Sequence, residues 1–98
     1  MSSNKKKIEV YQTPSFTKKK KKLRKSEIAD LDNAVKAIIE NPEIGVQKKG
    51  DLADVWVYKF KMAKQENLLA YKWDVEKRIL IALGVHENFY RDLKKSNF

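Results

Sequence analysis

A pair of lysines, a single histidine and a dense run of cations are the residues of this chain whose types and spacing can do chemistry. Lys59 and Lys61 stand two apart in Val55-Trp56-Val57-Tyr58-Lys59-Phe60-Lys61-Met62. Trp56, Tyr58, Phe60 and Met62 alternate with Val55, Val57, Lys59 and Lys61. Successive strand side chains point to opposite faces, so the stretch predicts a strand with one apolar face. Its second face is apolar at the start and cationic at the end. Strand rise places the two ammonium groups about 7 Å apart, close to the spacing of successive phosphates on a nucleic-acid backbone. Lys48 and Lys49, just before the strand, add candidate backbone contacts. His86 is the one histidine, and an ordinary pKa near ~6.5 suits it to move protons at neutral pH.

The chemistry that composition excludes is equally clear. There is no cysteine, hence no disulfide framework, thiolate metal site or thiol nucleophile. One histidine makes a zinc site improbable. No stretch approaches the roughly 20 apolar residues of a membrane span, and no secretory leader opens the chain, so the expected compartment is the cytoplasm. Glycine-rich phosphate loops, paired-carboxylate spacings and nucleophile elbows are absent. The formal charge of +9 is uneven. Residues 1–25 hold ten Lys/Arg and one acid, whereas residues 26–98 hold twelve of each. Such a balance points to nucleic acid, an acidic partner or an anionic surface.

The elements that must position these residues follow from the pattern. Residues 1–7 have nothing to bury and are expected to be disordered. A single domain is expected over 8–96. Ile8-Glu9-Val10-Tyr11 favours a first strand, broken at Thr13-Pro14, with Ser15 available to cap a helix beginning at Phe16. Seven of the eight residues 18–25 are basic; they predict a solvated helix face, a phosphate-contacting helix or a surface for an acidic partner. Ser26 is a good cap for a second helix, whose Ile28, Leu31, Val35 and Ile38 form an apolar stripe ending at Asn41-Pro42. After a loop to Asp54 comes the lysine-bearing strand, then a link of about five residues, Ala63 to Asn67. Two more strands follow, Leu68–Val75 and Arg78–His86, joined at Glu76-Lys77. Asn88 to Ser96 suits a short last helix with Phe89 and Leu93 four apart.

The fold class is therefore α+β: a small antiparallel sheet of about four strands packed on an N-terminal helical hairpin, with a short C-terminal helix. The large residues Trp56, Tyr58, Phe60, Tyr71 and Trp73, with Ile79, Ile81, Leu83 and Val85, make the expected buried face. Lys59, Lys61, Lys72, Ala70, Ala82, Gly84 and His86 make the opposite one, a shallow groove of small residues ringed by cations.

With that order in place, the chain resembles the RelE/ParE superfamily of bacterial toxins. The resemblance rests on Gly50-Asp51-Leu52, Trp56 to Lys61, Leu68-Leu69-Ala70-Tyr71, Leu83-Gly84-Val85-His86 and Phe89-Tyr90, and it spans roughly Ile8 to Lys95. It implies a toxin held inactive by a cognate antitoxin. In the RelE branch it implies cleavage of mRNA on the ribosome without metal or small-molecule cofactor, the substrate's own 2′-hydroxyl being the nucleophile. In the ParE branch it implies inhibition of DNA gyrase without nuclease activity. Lys59 and Lys61 are similar in position to the functional lysines of the RelE strand, whereas Leu68 stands where RelE has a catalytic arginine. His86 followed by Tyr90 resembles the YafQ-type arrangement, and Glu66 is similar in position to a carboxylate of that type. The further histidines of YafQ-type sites are missing, and lysines stand near their positions.

Metal-free cleavage of RNA removes a proton from the 2′-hydroxyl, stabilises a phosphorane and protonates the departing 5′-oxygen. The expected roles are acid/base for His86 and charge stabilisation for Lys59 and Lys61. Glu66 would serve as second acid/base group or orient His86, and Tyr90 would stack a base or place the phosphate. Lys48, Lys49, Lys72 and Arg91 are candidates for RNA backbone contacts.

Overall fold

The computed structural model describes residues 7–50, 54–85, 89 and 93. Its elements are β1 (Glu9–Gln12), α1 (Pro14–Lys21), α2 (Lys25–Glu40), a 3₁₀ turn (Pro42–Ile44), β2 (Val46–Gln47), β3 (Trp56–Met62), β4 (Gln65–Trp73) and β5 (Lys77–Gly84). The sheet has five strands in the order β1-β5-β4-β3-β2. β1 runs parallel to β5, and the other neighbours are antiparallel. The fifth strand, β2, is two residues long and lies inside the stretch expected to be loop. Among the described residues no helix is long and apolar enough to cross a membrane.

Both helices start earlier than expected. α1 begins at Pro14, whose fixed φ suits the first helical position, and its cap is Thr13 rather than Ser15. Thr13 Oγ1 accepts from the Phe16 N–H at 3.2 Å and donates to the Ile81 carbonyl at 2.6 Å, so one hydroxyl starts the helix and ties it to β5. α2 begins at Lys25, one residue ahead of Ser26, because the Arg24 N–H donates to Glu27 Oε1 at 2.8 Å. Its end at Asn41-Pro42 is as expected: the Asn41 side chain accepts from the Glu43 N–H at 3.2 Å.

The β3–β4 link is a two-residue turn, Ala63-Lys64, rather than five residues. Both residues have positive φ, 51° and 71°. Such turns match the twist of a hairpin but usually recruit Gly or Asn. Here the Ala63 N–H donates to Asp30 Oδ2 of α2 at 2.8 Å, a tertiary contact that holds the turn. The β4–β5 turn likewise moves, to Asp74–Glu76: Asp74 Oδ1 accepts from the N–H groups of Glu76 and Lys77, each at 2.8 Å.

The sheet buries both faces. On the helix side, Phe16, Leu31 and Ile38 pack with Met62, Leu69, Tyr71, Leu80 and Leu83, flanked by half-buried Trp56, Tyr58, Phe60 and Trp73. On the other side Val55, Val57, Leu68, Ala70, Ile81 and Ala82 pack with Phe89 and Leu93. The faces of β3 and β4 follow the sequence alternation. β5 does not: its register slips where Ala70 faces Ala82 but Tyr71 faces Leu80, leaving Ile81 as the extra residue of a bulge. Ile79 and Ile81 therefore leave the helix side, where Leu80 joins Leu83, which lies there as expected. The small residues expected to floor an open groove are instead covered, Ala70 being fully buried beneath the Phe89–Leu93 cluster.

Candidate active site

The tight turn decides what β3 and β4 can offer. With only Ala63 and Lys64 between the strands, Lys61 pairs directly with Glu66, and Lys59 with Leu68. Directly opposed residues share a face. Lys59, Lys61, Glu66 and Leu68 thus lie together on the face away from the helices, with Leu68 buried in the Phe89–Leu93 cluster and the three charged residues exposed. Glu66 is a strand residue rather than a turn residue. Its Oε2 lies 4.0 Å from Lys59 Nζ, with both side chains about three-fifths exposed (63% and 60%). An ion pair this exposed is worth only about 0–1 kcal/mol, so it holds the two side chains together weakly.

Beside Lys59 opens a cleft of about 380 Å³ lined by Gly45, Val46, Lys48, Val57, Lys59 and Leu68. It brings Lys48 to the same place as Lys59. Lys48 is held by its backbone, the N–H donating to the Val55 carbonyl at 2.8 Å. Lys49 follows, exposed. The cleft wall depends on a residue that the sequence marks only as core. Tyr71 is fully buried, and its hydroxyl donates to the Pro42 carbonyl at 2.7 Å and accepts from the Gly45 N–H at 3.0 Å. Burial pushes this phenol above its ordinary pKa. Gly45 has no room for a side chain: a Cβ would lie 2.7 Å from that hydroxyl and 2.8 Å from the Val57 carbonyl. The legible signal was a strand tyrosine among apolar neighbours, which needs a partner for its hydroxyl.

Lys72 shares the face but not the cluster. It is four residues along β4 from Leu68, roughly 13 Å at strand rise. It lines a separate cleft of about 470 Å³ with Asp54 and Asp74. His86, Tyr90 and Arg91 lie outside the described residues. The strand leading to His86 ends at Gly84, paired with Leu68, which in turn faces Lys59. The described part of the site is thus two lysines and a carboxylate on one exposed hairpin face, with a third lysine across a cleft. Two cations with a carboxylate beside them are the groups that neutralising a phosphodiester and moving a proton next to it would require.

Comparison with known proteins identifies the family and the fold. Residues 10–94 match the ParE-like toxin family of type II bacterial toxin-antitoxin systems, and the chain belongs to that family. A comparison with curated protein sequences finds no match. Among solved structures, the fold is similar to the toxin in the intact E. coli RelBE toxin-antitoxin complex, at a TM-score of 0.65 and 21% identity, covering 82% of this chain and 98% of that one. It is similar to a free E. coli RelE mutant at 0.67 and 18%, covering 90% of each chain. A YoeB/ParE toxin from Agrobacterium tumefaciens matches at 0.63 and 14%, covering 81% and 99%. The chain is a RelE/ParE-superfamily type II toxin.

Proposed function

We propose that this toxin is a ribosome-dependent mRNA endonuclease that stops translation in the cytoplasm, needs no metal or other cofactor, and is held in check by a cognate antitoxin. The observation that carries the reading is the gathering of Lys59, Lys61 and Glu66 on one exposed hairpin face. In the proposed reaction the 2′-oxygen of a message nucleotide loses its proton and attacks the adjacent phosphorus. The bond from phosphorus to the 5′-oxygen breaks, and that oxygen takes up a proton. Lys59 and Lys61 neutralise the phosphorane. His86 and Glu66 move the two protons, and Tyr90 stacks a base. Lys48, Lys49, Arg91 and, further along the sheet, Lys72 hold the RNA backbone. The lysine pair takes over the charge stabilisation for which RelE uses the arginine that Leu68 replaces.

A second reading, inhibition of DNA gyrase without cleavage, is favoured by the family match itself, which is to ParE-like toxins. Primer extension on an mRNA in a purified translation system separates the two. The nuclease reading expects ribosome-dependent cuts that fall on the order of 10² to 10⁴-fold in His86→Ala, the usual worth of acid–base catalysis. Absence of cuts by wild type, with loss of supercoiling by gyrase, establishes the second reading.

A further inference from the structure

We infer that the corner between α1 and α2 docks on the phosphate backbone of structured RNA. This rests on the ribosome-directed reading above and names a second surface for it, remote in sequence from the cutting face. Residues 18–25 contain seven cations and no acid. Phe16 and Leu23, the apolar residues of the segment, pack into the helix-side core, so the corner presents cations without an exposed apolar anchor.

The fold places this corner where it can extend the lysine face. Thr13, at the start of α1, is bonded to the backbone of Leu80 and Ile81 in mid-β5. Asp30, in the second turn of α2, is bonded to Ala63 of the β3–β4 turn. The chain between them therefore rounds the end of the sheet that carries this turn. Lys25 is five residues before Asp30, about 7.5 Å of helix rise. Lys61 and Lys64 flank the same turn. Corner and hairpin thus bring their cations to the same end of the sheet. The two nearest carboxylates already hold backbone, Glu27 on the Arg24 N–H and Asp30 on the Ala63 N–H. Among the described residues, none of the seven corner cations makes an ion pair. Lysines three or four apart on α1 and its cap, Lys18 with Lys21 and Lys18 with Lys22, repel one another, and a polyanion relieves that repulsion.

RNA fits this surface better than an acidic protein does. Protein interfaces centre on aromatic, Met and Arg side chains and are depleted in Lys; the corner has six lysines, one arginine and no exposed aromatic. Phosphate contacts need only charge at close spacing, and each released counterion adds to the salt dependence of binding.

The test is fluorescence anisotropy of a labelled RNA stem-loop titrated with the full chain over a range of salt. It compares wild type with the combined variant Lys18→Gln, Lys19→Gln, Lys21→Gln and Lys22→Gln. Four lost phosphate contacts should lower the slope of log affinity against log salt by about 3 and raise Kd on the order of 10²-fold at physiological salt. Far-UV circular dichroism should be unchanged. Equal slopes and affinities for the two proteins overturn the inference. So does a variant that keeps RNA affinity but loses affinity for the antitoxin, which assigns the corner to an acidic protein. Wild type that binds the stem-loop with the full slope yet cuts no message upholds the corner and removes the nuclease reading alone. Wild type that cuts message, with a variant of unaltered slope, removes the corner alone.

Discussion

On the helix side of the sheet, Arg78 and Tyr71 are buried and direct their hydrogen bonds at backbone; on the other side, at the β3–β4 hairpin, Lys59, Lys61 and Glu66 stand in solvent around one weak ion pair. Arg78 donates from Nε to the Ile38 carbonyl at 3.1 Å and from Nη2 to Ile39 at 2.9 Å. From Nη1 it donates to Asp74 at 2.7 Å and Lys77 at 3.0 Å. The first two carbonyls close the last turn of α2, where orphan acceptors and the helix dipole both favour a cation. The guanidinium also lies over the Trp73 ring, 5.9 Å from its centre. Burial pulls its pKa below the usual arginine value, a pull that Asp74 opposes. One region uses polar groups to join helix, turn and sheet; the other leaves them free to meet a ligand. Equal chemistry, a cation beside oxygen acceptors, ties the fold together in one place and stays available at the surface in the other, according to how much water each cation keeps.

That contrast is broken most directly at Arg78. Arg78→Ala leaves four carbonyl oxygens without this partner and should cost on the order of 3–5 kcal/mol, a fall in thermal midpoint of more than about 10 °C for a chain this size. Thermal unfolding followed by circular dichroism reads it, and an unmoved midpoint would show the network to be dispensable. At the hairpin the expectation inverts. Lys59→Ala should slow ribosome-dependent cutting on the order of 10²-fold while shifting stability by less than about 1 kcal/mol. Unfolding and primer extension on the same preparation separate the two effects. The smallest effect tests the wall between the regions. Tyr71→Phe leaves the Pro42 carbonyl and the Gly45 N–H unpaired and should cost about 1–2 kcal/mol. Because burial raises the folded-state pKa of Tyr71, its contribution is complete below the unfolded value near ~10 and is lost as pH rises past the folded one. Denaturant titrations should therefore show wild type losing stability more steeply than Tyr71→Phe in the alkaline range.

Much of this was legible where polar residues mark the alternation. In β3 and β4 the lysines fix which face is which, and the faces come out as read. β5 carries Ile79-Leu80-Ile81-Ala82-Leu83, apolar at every position, so a period of two has no marker and the bulge is invisible. The partner that the bulged residue's carbonyl finds is Thr13, 68 residues away. The Ala63-Lys64 turn has the same character: neither residue announces a positive φ, and the stabilising carboxylate, Asp30, lies 33 residues earlier. The turn fixed the site, since it moved Glu66 from a loop onto the strand face shared with the lysines. The cap at Thr13 was open to local reading, because proline favours the position just after a cap.

The contact between Thr13 and Ile81 also bears on when the molecule becomes itself. β1 is paired with β5, the last strand of the described chain, while β3, β4 and β5 follow one another through short turns and need no distant segment. Closing a loop of this length costs entropy before the contact repays it, and non-local pairing of this kind slows folding. During synthesis the helices and the hairpin can assemble from sequence already outside the exit tunnel. The first strand waits, with its helix cap unanchored, until Leu80 and Ile81 have emerged. The sheet is completed only once β5 is free to pair, so a nascent copy lacks its finished fold until that strand is available.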